Sequence, residues 1–416
     1  MKNLVICCDW INSERGDSIS NVLKFYHCLR KKDNETVQQL VYYDPGVGTP
    51  GPAATSWHRL KDNINSVVRI ATGYGFDNNI LSAYDFLIRN YQDGDHIYLF
   101  GFSCEAYSVR VLAGLIHAVG LLSPEQANFT SSRLAAYKQS SDFAQLNSSH
   151  SANLQNKVAT ETVGYDNLVY LTTFWATRWP TIRLVGVLDT IANAVTPRSD
   201  RFLYTPSLEE LVFTRNNPSV QAFRQAISID ERRCMIRLKP WDDSQDFVRD
   251  RFAQVRKTEP QDSLQVWFAG VHADIGGGYP EAESALSKYP LLWLIEEAAK
   301  CGLKFDQQIV NQLAWGMPTQ GKPFKHMAPD FAGVQHDSMT GTWRVLEYLP
   351  KSAKYKEWPE RKSILGFYVP DCEPRVIPEG AIVHESVVKR MSGLSSYRPI
   401  NMPQTYGTFP LSVPPR

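Results

Sequence analysis

No stretch of about 18 apolar residues occurs in the chain, so no membrane-spanning helix is expected. An excess of charge is missing too: 44 Lys and Arg stand against 43 Asp and Glu, for a net charge of +1. A nucleic-acid partner calls for a basic excess or patch, and none is expected here. Cysteines are present but form no pattern. The seven, Cys7, Cys8, Cys28, Cys104, Cys234, Cys301 and Cys372, are odd in number and scattered, with no C-x-x-C pair. That argues against a disulfide framework or a cysteine metal site and fits a reducing compartment. The opening apolar run, Leu4 to Cys8, is too short for a signal peptide. A cytoplasmic protein is expected. His272-x-Asp274 has ligand-like spacing, but no second cluster of His, Asp or Glu joins it, so neither a metal nor another cofactor is expected. Gly46-Val47-Gly48-Thr49-Pro50-Gly51 has the glycine spacing of a dinucleotide loop. Pro50 interrupts it and no helix follows at once, so it reads as a structural turn or the rim of a site.

The chain does have the means to build a large core, with 43% apolar and 21% charged residues over 416 positions. Leu4 to Cys8, Val37 to Tyr43, His96 to Phe102 and Leu264 to Val271 are short apolar runs that read as buried strands. Between them, Ser20 to Arg30, Ser82 to Asn90 and Leu286 to Ala299 have helical spacing, and a helix is expected around Val220 to Ser228. Strands alternating with helices predict parallel βαβ units. Cys104 to Val119 is apolar nearly all round, as a buried helix is. The expected fold is α/β: a mostly parallel central sheet flanked by helices, with surface insertions. The core should span residues 1–301, with insertions near 121–180 and 196–260. Residues 302–416, rich in Pro, Lys and Trp, read as an extension packed on that core.

Three residues stand at the ends of apolar runs in a telling order: Ser103 after His96 to Phe102, Asp189 after Leu184 to Leu188, and His272 after Val266 to Val271. Ser, Asp, His is the chain order of triad partners on an α/β-hydrolase sheet. A sharp strand–Ser–helix turn lifts the hydroxyl clear of the backbone and sets an N–H, here that of Cys104, behind it for an oxyanion. Taken alone, Ser103 reads equally well as a helix N-cap, Asp189 as a strand-end cap and His272 as a packed turn histidine. The aromatics Tyr170, Phe174, Trp175 and Trp179 either line an acyl pocket or belong to the core.

Several motifs together carry a family resemblance. They are Tyr42-Tyr43-Asp44-Pro45-Gly46-Val47-Gly48-Thr49, Gly101-Phe102-Ser103, and Ile229-Asp230-Glu231-Arg232-Arg233. Gly270-Val271-His272-Ala273-Asp274-Ile275-Gly276-Gly277-Gly278-Tyr279 and Ser395-Ser396-Tyr397-Arg398-Pro399 complete the set. The chain resembles the large, mostly uncharacterised α/β-hydrolase-like family that includes the first class of type VI secretion lipase effectors. The resemblance implies an α/β-hydrolase fold and a triad on Ser103, Asp189 and His272. It implies esterase or phospholipase activity on a small ester or lipid. By the same analogy an immunity or secretion partner is implied.

Two departures from the family pattern bear on the site. Its Gly-Phe-Ser-Arg-Gly-Ala elbow is here Gly101-Phe102-Ser103-Cys104-Glu105-Ala106, two charges more negative. Glu105 is expected either to point into open space or to distort the elbow. The family's Asp-Gly-Thr-Trp-Asn loop is here Asp9-Trp10-Ile11-Asn12-Ser13, which alters whatever contacts Asp9 and Trp10 make. The expected function is a serine hydrolase working through an acyl-enzyme, with Cys104, Glu105, Asp9, Trp10 and Asp274 around the oxyanion and pocket. The alternative is a hydrolase fold with an impaired site, kept as a binding or scaffold protein.

Overall fold

The computed structural model describes residues 1–10, 18–31, 38–46, 76–139, 178–191, 211–253, 255, 257–318, 326–339, 341–353 and 356–414. Its centre is an eight-stranded sheet in the order β12-β11-β8-β5-β4-β3-β1-β2. The strands are β1 (Lys2–Cys8), β2 (Gln38–Asp44), β3 (His96–Phe102), β4 (Ile182–Leu188), β5 (Ala222–Ser228), β8 (Asp262–Phe268), β11 (Ile382–His384) and β12 (Gly407–Phe409). Every neighbouring pair is parallel. Two small antiparallel ribbons lie outside the sheet, β6 (Asp246–Val248) with β7 (Thr258–Pro260) and β9 (Lys351–Ser352) with β10 (Phe367–Tyr368).

A parallel sheet must be covered on both faces, and its strands alternate their side chains between two cores. In β1, Leu4, Ile6 and Cys8 join one core, packed by helices Phe76–Asn90 and Ser103–Val119. Val5 and Cys7 join the other, packed by helices Asn21–Cys28 and Lys288–Lys300. Each such aliphatic side chain contributes about 1.5–3 kcal/mol by leaving water. The helix Ser103–Val119 is buried along its whole length, as its composition predicts.

The stretch Val220 to Ser228, expected as a helix, contains strand β5, Ala222–Ser228. Its Ala, Arg and Gln favour helices in isolation, but the segment fills the slot between β4 and β8 and is buried throughout. Its polar side chains have partners there. Arg224 pairs with Glu297 at 2.6 Å and Asp262 at 2.8 Å, and Gln225 accepts from Thr190 Oγ1 at 2.5 Å.

The chain enters the sheet at β1, steps outward to β2, then returns to β3 on the other side of β1. That reversal makes a topological switch point, and ligands of open α/β sheets bind beyond the carboxyl ends of the strands there. The carboxyl ends of β1, β3, β4, β5 and β8 lead directly into Asp9, Ser103, Asp189, Ile229 and the turn before His272. Residues 47–51 of the glycine turn, 11–13 of the first loop, the inserted stretches 140–177 and 192–210, and Tyr170, Phe174 and Trp175 lie outside the described residues.

Candidate functional site

β3 turns into the helix Ser103–Val119 with no intervening loop. Phe102 occupies the cap position in extended backbone, and Ser103 follows with φ of 62°. A non-glycine residue in that region costs about 1–3 kcal/mol, so its surroundings must hold it there. Gly101 makes the tight turn feasible: a Cβ there would lie 2.6 Å from the Glu105 carbonyl oxygen and 2.8 Å from Ala106 Cα. The Ser103 hydroxyl lies 2.9 Å from His272 Nε2 and 3.8 Å from Cys104 Sγ.

His272 is brought there by the end of β8, at the start of a short helix, His272–Gly276, rather than in an open glycine loop. Its Nδ1 contacts Asp189 Oδ2, and Phe102 lies against the ring with centroids 4.6 Å apart. With the proton on Nδ1 shared with the carboxylate, Nε2 is left to accept from the serine hydroxyl. The sheet thus joins Ser103, His272 and Asp189 from three strand ends, residues separated by up to 169 positions.

Asp189 is wholly buried. Burial alone would raise its pKa. The Arg375 guanidinium and the His272 hydrogen bond outweigh that and hold the carboxyl well below the usual range. Arg375 Nη1 donates to Oδ1 at 2.5 Å and Nη2 to Oδ2 at 3.1 Å, while Ser228 N donates to Oδ1 at 3.0 Å. Sequence reading assigned Arg375 no role. It stands in no motif, and only the fold brings it to Asp189.

The Ile229 to Arg233 motif supports the histidine from behind. Glu231 Oε2 accepts from His272 N at 3.2 Å, and its carboxylate pairs with Arg233 at 2.8 Å. Burial works against its charge, but Arg233 prevails and lowers its pKa to about 2. Asp230 accepts from Gly270 N at 2.7 Å and from the Tyr397 hydroxyl at 2.9 Å, tying the late Ser395 to Pro399 motif to the histidine turn. Asp274 belongs to this scaffold and does not reach Ser103 through any contact described. It accepts from Val271 N at 3.0 Å and meets His336 Nδ1 at 2.7 Å.

Asp9 is likewise an internal strut. It is buried, bonded to Ser20 Oγ, and accepts from the Tyr43 hydroxyl at 2.9 Å. Glu105 does not open to solvent; it lies buried in the first turn of the helix Ser103–Val119. It is 2% exposed and accepts from Asn79 Nδ2 at 2.9 Å. The helix Phe76–Asn90 supplies that donor, which the local sequence gives no reason to expect. Burial, with Asp44 and Asp9 nearby, pushes the Glu105 pKa up to about 7. Next to Ser103, Cys104 packs with Ile191 and Ile236, and Trp10 and Trp343 lie against them. These side chains form an apolar wall around the residue that follows the serine.

Comparisons with known proteins bear on what such a site belongs to. An uncharacterised protein of Saccharomyces cerevisiae is 24% identical over 406 residues, a match that takes in 75% of this chain. The chain spans 59% of that relative's length. Among solved structures, an uncharacterised protein from Pseudomonas aeruginosa aligns with 74% of this chain and 46% of its own, at 15% identity and a TM-score of 0.34. A structure of the Tle1 effector bound to the VgrG spike of the type 6 secretion system aligns with 68% of this chain and 52% of its own, at 16% identity and a TM-score of 0.31. The sequence profile described as "T6SS, Phospholipase effector Tle1-like, catalytic domain" matches residues 2–297. Spanning well over half of the sequence, that match establishes that the chain belongs to the Tle1-like phospholipase-effector catalytic-domain family.

Proposed function

We propose that the protein is a serine hydrolase that cleaves acyl esters of lipids through a covalent acyl-enzyme. One observation carries this reading: Ser103, in strained left-handed backbone at a strand-to-helix turn, has its hydroxyl 2.9 Å from an imidazole whose other nitrogen meets a buried carboxylate. Ser103 Oγ attacks the ester carbonyl carbon while His272 Nε2 takes its proton. The oxyanion that forms is held by the Cys104 N–H at the amino end of the helix. The carbonyl–oxygen bond to the leaving alcohol then breaks, and His272 returns the proton to that alcohol. Water repeats the sequence on the acyl-enzyme, freeing the fatty acid and Ser103. Asp189 keeps His272 in the working tautomer and remains ionised throughout.

The wall of Trp10, Cys104, Ile191, Ile236 and Trp343 supports an acyl chain as the group next to Ser103. The hydrogen bond from Asn79 to Glu105 within the helix packing counts against the alternative of an impaired binding protein. Hydrolysis of p-nitrophenyl esters of graded acyl length tests the reading. Trp343→Ala should lower kcat/KM about tenfold for long acyl chains, the equivalent of ~1.4 kcal/mol of lost apolar contact, and leave acetate hydrolysis nearly unchanged. Equal losses at every chain length would remove the wall from the substrate site. Wild-type protein that turns over no ester would count against the reaction itself.

A further inference from the structure

We propose that Arg375 is a positioning residue for the relay from Ser103 through His272 to Asp189. The inference rests on the triad reading above and adds a fourth side chain, from outside the region matched to the family.

The geometry around Asp189 leads to it. An ionised carboxylate offers about four lone-pair sites in one plane. At Asp189 His272 takes a site on Oδ2, Arg375 takes one on each oxygen, and Ser228 N takes a further site on Oδ1. The Ser228 hydroxyl lies at 3.1 and 3.2 Å from the two oxygens. The guanidinium fork therefore fixes the plane of the carboxylate, and that plane sets the direction of the bond to His272. Arg375 is itself fixed. It is 5% exposed, Nη2 donates to the Ile236 carbonyl at 3.0 Å, and its own carbonyl accepts from Asn401 Nδ2 at 3.0 Å. No contact described takes it to Ser103 or to His272, so it acts through Asp189.

Charge alone does not account for this arrangement. A lysine would also offset a buried carboxylate, but as a point charge without the planar fork. If Arg375 sets orientation, Lys must preserve the fold better than the rate. If Arg375 only balances charge, Lys must preserve both.

The test uses the full chain and the rate of fluorophosphonate labelling, beside thermal unfolding and the low-field proton resonance of the His272 Nδ1–H. Arg375→Lys should unfold near the wild-type temperature yet label about tenfold more slowly, and Arg375→Gln about a hundredfold more slowly, the scale of a misplaced catalytic group. Asp189→Asn should abolish the low-field resonance, and Arg375→Lys should shift or broaden it. A Lys variant that labels at the wild-type rate with an unchanged resonance would overturn the proposal. Loss of the folded state in both Arg375 variants would also overturn it, assigning the residue to the fold alone. Undiminished labelling of Ser103→Ala would instead overturn the triad reading beneath it, a result distinct from either.

Discussion

Asp189 and Glu105 are two buried acids whose surroundings push them in opposite directions. Arg375 and His272 depress the Asp189 pKa despite burial, whereas Glu105 has no cation to offset its burial, only hydrogen bonds with Ser108 and Asn79 among the described residues, and burial raises it to about 7. Asp189→Asn should lower turnover about 10⁴-fold while Ser103 and His272 stay in place, because an amide holds imidazole in the wrong tautomer. Ester hydrolysis by folded protein checks it. For Glu105 the raised folded pKa fixes the sign. Its contribution is fully present below the unfolded value near 4.3 and is lost as pH rises through about 7. Glu105→Gln keeps an oxygen for Asn79 and removes the charge. Urea unfolding should find it level with wild type near pH 4 and more stable at pH 8, by on the order of 2 kcal/mol. A constant difference across that range would mean that Glu105 does not titrate in the folded protein.

The turn from β3 into the helix Ser103–Val119 is the element on which the site depends. Gly101→Ala sets a methyl within 2.8 Å of helix backbone atoms, so helix and strand must separate. About 2–4 kcal/mol of stability should be lost in urea unfolding, together with the close approach of Ser103 to His272. At this scale much was legible in the sequence. β1, β3 and β8 are apolar runs, and the Ser103 helix is apolar all round, so burial wrote itself into residue type. The strand-end placement of Ser103, Asp189 and His272 was legible because each follows such a run directly. β5 was not, because Arg224 and Gln225 sit in the sheet through partners remote in sequence, among them Glu297, Asp262, Thr190 and Gln265. Arg375 was hidden for the same reason, and Glu105 was misread because Asn79 lies on another helix.

Across the whole molecule, the segment beyond residue 301 supplies β11 and β12 to the main sheet, Trp343 to the apolar wall and Arg375 to Asp189. Fold and site therefore share one acid-sensitive joint. Carboxyls with depressed pKa values stabilise the folded chain above their unfolded values and lose that contribution as pH falls through the folded ones. Asp189 and Glu231 both belong to this class. The urea midpoint should drop steeply below pH 4, and less steeply in Asp189→Asn, which has no such proton to take up. The proposed function requires that the three strand ends build an activated serine at position 103. Labelling of purified protein with a fluorophosphonate probe, wild type beside Ser103→Ala, tests it most directly. The wild type should label and the variant should not. Equal labelling of both, or none of a folded wild type, would contradict it.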